Sequence, residues 1–205
     1  MAEKRVRSVL REYVEAGLWA VALTFVLRAF VIQAFRIPSE SMVPTLLKGD
    51  FLFVNKFEYG PKIPLTHIRL PGLRAPKRGD VIVFQFPQDP TKDFIKRCIG
   101  TGGKTLEIHD KVVSVDGVAL KEPYVRHSDS MMRPAGFDVR DNFGPVTVPP
   151  GEMFMMGDNR DNSNDSRYWG TLKMDLVRGH AMFIYWSWDP DRHWPRWNRI
   201  FQLIH

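Results

Sequence analysis

The sequence predicts a mainly β protein tethered by one N-terminal transmembrane helix, with a looser second lobe set into the β domain. Three observations lead there. An apolar stretch of membrane-spanning length, Ala16 to Phe35, lies near the N-terminus. From Ser39 onward, short runs of β-forming residues alternate with turn signals such as Gly49-Asp50, Gly79-Asp80, Gly102-Gly103 and Asp116-Gly117. Residues 121–150 are rich in proline and show little periodicity.

Composition narrows the function classes. At 205 residues the chain holds an anchor and one sizeable domain, or two small lobes. With 44% hydrophobic and 25% charged residues it is globular rather than disordered. The net charge is +6, but the basic residues are dispersed, without a run, a recognition-helix pattern or zinc-finger spacing. No nucleic-acid partner is expected from that footprint. Cys98 is the only cysteine, so an intrachain disulfide is ruled out, and it reads as a packed core thiol. The six histidines are scattered, with neither HExxH nor paired Cys/His spacing, so neither a metal nor a cofactor is expected.

The anchor comes first. A helix of about twenty residues spans roughly 30 Å, one hydrocarbon core. Arg28 interrupts the apolar run past its midpoint, where a long stem lets the guanidinium snorkel outward. Cleavage of this segment is disfavoured: Ile32-Gln33-Ala34 has a bulky first residue, and Ala20-Val21-Ala22 lies inside the apolar core. Basic residues before the run place residues 1–15 in the cytoplasm, 16–35 across the membrane, and 36–205 on the periplasmic or extracellular side.

The β domain follows. Strands are expected at Asp50–Val54, Asp80–Phe86 and Phe94–Ile99, around Val112 and Val118, and at His180–Trp188. Residues 57–78, proline-rich and basic, read as a long loop or hairpin insertion. The core therefore comprises residues 36–107 and 151–205, with the second lobe inserted at about 108–150.

Three segments carry chemistry. Pro38-Ser39-Glu40-Ser41-Met42-Val43-Pro44-Thr45-Leu46 presents two serines just past the anchor. Asp93-Phe94-Ile95-Lys96-Arg97-Cys98-Ile99-Gly100 sets a lysine among strand formers. Gly157-Asp158-Asn159-Arg160-Asp161-Asn162-Ser163-Asn164-Asp165-Ser166-Arg167-Tyr168-Trp169-Gly170 is too polar for a strand. A serine hydroxyl is a poor nucleophile until a base takes its proton. The chain has no GxSxG elbow and no histidine placed to suggest a triad. A lysine serves as base only when neutral, so its reference pKa of about 10.4 must fall by roughly 2–3 units, which apolar burial achieves. Phe94, Ile95, Cys98 and Ile99 supply such surroundings if Lys96 faces inward. Strand alternation then turns Arg97 to the opposite face, where it is free to be solvated.

Together with Lys77-Arg78-Gly79-Asp80-Val81-Ile82-Val83-Phe84, these segments resemble the ordered boxes of bacterial type I signal peptidases, a family of membrane-anchored Ser/Lys proteases related in fold to the LexA catalytic domain. The resemblance extends from the anchor to Arg199-Ile200…Ile204-His205, and GDNRDNSNDSRYWG is its most specific part. It implies a serine endopeptidase that removes signal peptides from exported preproteins at the outer face of the cytoplasmic membrane. Ser41 would attack the scissile carbonyl and Lys96 would be the general base. The Ser41 backbone N–H and the Ser39 hydroxyl would form the oxyanion hole, and Ser163 would hydrogen-bond and orient Lys96. Arg97, Asp165 and Arg167 would be charged structural supports. Phe35, Ile37, Met42, Leu46 and Ile95 would line shallow pockets for the small-x-small residues before the cut. Phe94 departs from the family, where tyrosine is common, and Glu40 occupies a variable position and is expected to point to solvent.

The implied site sits near the bilayer. Only about five residues separate Phe35 from Ser41, a reach of at most roughly 20 Å. Trp186, Trp188, Trp194 and Trp197 suit a membrane interface better than base stacking. Gly102-Gly103-Lys104-Thr105 fails the phosphate-loop pattern, which requires glycine where Cys98 stands. Asp158–Asp165 fails the calcium-loop pattern at its third and sixth positions. Three other readings stay open on sequence: a relative dedicated to one substrate such as a pilin, a LexA-type repressor cut at Ala16-Gly17, and a silent tethered binding domain.

Overall fold

A computed structural model describes residues 2–63, 66 and 68–205. Helix α1 (Ala2–Val26) runs into a π-helical turn at Leu27–Val31, and Ile32 is already extended, at φ −137° and ψ 142°. The apolar span covers Arg11–Val31, with mean hydropathy 1.7 and no buried residue. An exposed apolar helix of that length suits lipid rather than water. The anchor therefore ends four residues earlier than the sequence predicts. Ile32–Arg36 forms strand β1, paired antiparallel with β2 (Asp50–Asn55) from Ile32↔Asn55 to Arg36↔Phe51. The segment IQAFR carries no local signal that separates helix from strand, but β2 offers its N–H and C=O groups partners at the point where the helix stops. Ala16-Gly17 lies within α1.

The remaining strands are β3 (Val81–Phe86), β4 (Asp89–Thr101), β5 (Thr105–His109), β6 (Val112–Val115), β7 (Val118–Ala119), β8 (Phe143–Thr147), β9 (Glu152–Met156), β10 (Leu172–Lys173), β11 (Val177–Asp189) and β12 (Trp194–Pro195). One sheet has the order β1-β2-β11-β3-β4-β9-β10, with β12 on β11. A second has the order β7-β6-β5-β8. Pairing within both is antiparallel. Strand β2, between β1 and β11, alternates buried and half-buried residues, whereas β3, VIVFQF, is buried at nearly every position and so on both faces. A continuous apolar run is what such a strand requires.

Both faces of the large sheet are covered. Ile37, Met42, Leu46, Leu52, Val83 and Ile184 pack on one side, and Ile82, Phe84, Cys98, Met155 and Leu172 on the other. Cys98 is fully buried, and burial pushes its thiol up to about 12. The second lobe's strands begin at Thr105, slightly earlier than expected, and Leu106, Ile108 and Val113 pack with Phe154 and Met156 of β9. Charge organises its irregular segment: Arg140 reaches Asp129 and Asp141, both at 2.7 Å, and Lys111 lies 3.2 Å from Asp161. The insertion at 57–78 contains no strand among its described residues. It is pinned by Arg69 to the Val177 carbonyl at 2.7 Å and by Arg74 to Asp80 at 2.6 Å.

Candidate active site

Ser41 sits in a turn between β1 and β2. The turn closes through Val43 N–H to the Glu40 carbonyl (3.2 Å) and Leu46 N–H to the Met42 carbonyl (2.9 Å), and its Val43–Pro44 peptide is cis. Met42 and Leu46, at 1% and 0% exposure, anchor it in the core. From the polar 157–170 segment, Asn159 staples the turn twice: its backbone N–H donates to the Ser41 carbonyl and its Nδ2 to the Glu40 carbonyl, both at 3.1 Å. Gly157 permits this approach, because a Cβ there would collide with the Ser163 hydroxyl and the Ser41 carbonyl oxygen.

Lys96 comes from β4, opposite Ile82 of β3. Its Nζ donates to Ser41 Oγ at 2.5 Å and lies 5.4 Å from the Phe94 ring centroid. Lys96 is 4% and Ser41 8% exposed. Desolvation pushes the Lys96 amine down to about 8, against the upward pull of Asp165 and Asp158 and aided by Arg167. That pull is blunted because each carboxylate already has an arginine. Arg97 grips Asp158 in a fork (Nε–Oδ1 2.8 Å, Nη2–Oδ2 2.7 Å), and Arg167 grips Asp165 likewise, both contacts at 2.8 Å. Burial would raise the Asp165 carboxyl, but Arg167 and the Gly157 N–H hold it below the ordinary carboxylate range.

Arg97, which alternation leaves free to be solvated, is instead 1% exposed. The sheet is covered on both faces, and every part of the guanidinium finds a partner. Besides Asp158 these are the Gly79 and His205 carbonyls at 2.8 Å each, with the Tyr124 ring centroid 3.9 Å away. Arg167 also donates to the Arg140 and Arg160 carbonyls, both at 2.7 Å. A buried guanidinium carries little penalty when it is paired and its donors are filled.

The other expected residues divide. Ser39 is exposed and lines a cleft of about 490 Å³ together with Glu40, Ser41, Lys48, Ile95, Lys96 and Asn162, among others. Glu40 is exposed, as expected. Among the described residues the Ser41 N–H donates to nothing, so it is available to a ligand oxygen. Ser163 does not hydrogen-bond Lys96: its hydroxyl is buried against Gly157, near Asp165, without a partner of hydrogen-bond geometry. Of the five expected pocket residues, only Ile95 lines the cleft. Ile37, Met42 and Leu46 are at most 2% exposed and belong to the core, with Phe35 packed against it. The turn drives these side chains down into the sheet, so they back the cleft rather than face it.

Two residues that hold the site have no local signal in the sequence. Asp158 bridges Arg97 and the Thr45 hydroxyl, at 2.5 Å, and so ties β4 to the serine turn. Asn159 is the staple described above. Both belong to the 157–170 segment, but their partners lie dozens of residues away.

Residues 10–186 match the family described as signal peptidase, peptidase S26. Signal peptidase I of Pseudomonas fluorescens is 34% identical over 94% of this chain and 78% of its own length. Signal peptidase I P of Bacillus subtilis subsp. natto is 34% identical over 93% and 97%. A probable signal peptidase I-1 of Synechocystis is 37% identical over 85% and 81%. A crystal structure of a signal peptidase I from Enterococcus faecalis is similar at 34% identity, over 53% of this chain and 98% of that one, with a TM-score of 0.44.

Proposed function

The chain belongs to the signal peptidase family, peptidase S26, and from that premise we propose that Ser41 and Lys96 are its catalytic dyad. Its activity is cleavage of signal peptides by a serine peptidase. The observation that carries the dyad is the 2.5 Å contact between a buried lysine and a buried serine.

Neutral Lys96 takes the Ser41 proton as Oγ attacks the scissile carbonyl. The oxyanion is received by the Ser41 N–H and the Ser39 hydroxyl, donors that matter most as charge develops. The lysine, now protonated, gives its proton to the departing amine of the mature protein, leaving an ester on Ser41. Lys96 then takes a proton from water, hydroxide adds to the ester carbonyl, and the proton returns to Ser41 as the signal peptide leaves as an acid. Asp158, Asp165, Arg97 and Arg167 touch no reacting atom; they fix the turn and β4 and cancel one another's fields around Lys96. Ser163, whose buried hydroxyl has no hydrogen-bond partner, is the remaining candidate to orient Lys96.

The substrates are preproteins with small residues at the first and third positions before the cut. Ile37, Met42 and Leu46 pack in the core behind the cleft, and Ile95 lines it. The chain crosses the membrane once through α1, with its N-terminus in the cytoplasm and the β domain outside. The site then lies ten residues beyond Val31, near the surface where a signal peptide's cleavage region emerges. Cleavage of a small-x-small preprotein by Ser41→Ala and Lys96→Ala tests the dyad. Both variants stay folded and lose cleavage; full activity in either one refutes the assignment.

A further inference from the structure

Three cations gather where the anchor meets the large sheet, and the peptidase reaction uses none of them. The Lys56 N–H donates to the Val31 carbonyl at 2.9 Å and its Nζ to the Arg28 carbonyl at 3.0 Å. The ammonium is therefore level with the last turn of the span. Arg178 is brought to the same end of the sheet by register, since Asn55 pairs with Ile32 on one side and with His180 on the other. Arg178 Nε donates to Asp93 at 3.2 Å, and its two terminal nitrogens have no protein partner among the described residues. Neither Lys56 nor Arg28 has a carboxylate within 4.0 Å among the described residues.

Lys56 is half-buried among like charges. Burial, Arg178 and Arg28 push its amine below the ordinary lysine value, and only Asp93 opposes them. Three cations and one shared carboxylate leave a positive excess at the depth of the lipid headgroups. A half-desolvated cation in that position gains most from an anion that is itself held at the interface. A zwitterionic headgroup brings its own cation; an anionic one does not.

We propose that Lys56, Arg178 and Arg28 form a binding site for the phosphodiester of an anionic phospholipid at the exit of the anchor. The proposal rests on the reading of α1 as a membrane anchor. Asp93, the partner of Arg178, also lines the catalytic cleft. The bound headgroup thus sits behind the cleft rim and holds that end of the sheet against the bilayer.

The test uses the full chain, delipidated in detergent and titrated with phosphatidylglycerol or phosphatidylcholine, with bound lipid counted by native mass spectrometry. Wild type retains one phosphatidylglycerol at least tenfold more tightly than phosphatidylcholine. Lys56→Gln and Arg178→Gln each weaken that retention about tenfold, Lys56→Arg restores it, and all three cleave substrate in detergent as wild type does. Ser41→Ala keeps the lipid and loses cleavage, so failure of the dyad and failure of the lipid site are read separately. Equal retention by wild type and the Lys56→Gln/Arg178→Gln double variant overturns the site. Displacement of the lipid by millimolar inorganic phosphate overturns its assignment to a lipid headgroup.

Discussion

Lys96 Nζ and Ser41 Oγ stand 2.5 Å apart, joined across 55 positions of sequence by a turn and a strand that share one core. The contact serves both protonation states: a charged ammonium donates to the hydroxyl, and a neutral amine accepts the hydroxyl's proton. Which state is populated decides the chemistry, and burial decides the state.

The same burial carries a cost to stability. Lys96 is held down at about 8 when folded and returns to 10.5 when unfolded. Between those values the unfolded chain binds the extra proton, so stability rises with pH across that window. Below about 8 the folded protein bears the full penalty, on the order of 3 kcal/mol for a shift of this size. Lys96→Met is therefore more stable than wild type at pH 7 in urea denaturation. The advantage shrinks as pH rises from 8 to 10.5.

Ser39 is exposed at the cleft with no protein partner among the described residues, the state of a donor waiting for a ligand. Ser39→Ala lowers kcat by roughly 10²–10³-fold and leaves KM nearly unchanged, as expected for a donor that acts on the oxyanion. Steady-state kinetics on a signal-peptide substrate reads both constants.

Asp158 is the sole carboxylate that Arg97 grips among the described residues, and both side chains are 1% exposed. Asp158→Ala strands a buried guanidinium and destabilises the fold by about 3–5 kcal/mol. Asp158→Asn, which keeps an acceptor but not the charge, falls between. Denaturation midpoints of the three proteins give the order.

The anchor's true end yields a truncation test. Removing residues 2–31 leaves β1 on the sheet, and the domain remains folded and monodisperse in size-exclusion chromatography. Removing residues 2–36 strips β1 from β2 and exposes a long edge, which aggregates.

Much of this was legible in the sequence where local pattern and tertiary setting agree. The strands at 81–86 and 177–189 follow from β-formers between turns, and Lys96 from an apolar strand with a serine turn upstream. The errors have physical causes. Ile32–Arg36 reads equally as helix or strand, and only the vacant edge of β2 decides. Alternation leaves Arg97 free to be solvated because it shows which face a side chain takes, not whether another layer covers that face. Asp158 and Asn159 carry no local signal because their partners are brought close only by the fold. The resemblance assigns Met42 and Leu46 to the cleft, but the turn carries them under it.

The claim on which the rest depends is that Lys96 is neutral when it meets the serine hydroxyl. Heteronuclear NMR titration of the Lys96 side chain in the folded, ¹³C-lysine-labelled protein measures this directly. A midpoint near 8, matched by the rising limb of kcat/KM against pH, is the result expected. A Lys96 amine that remains charged up to its ordinary value near 10.5 would contradict it.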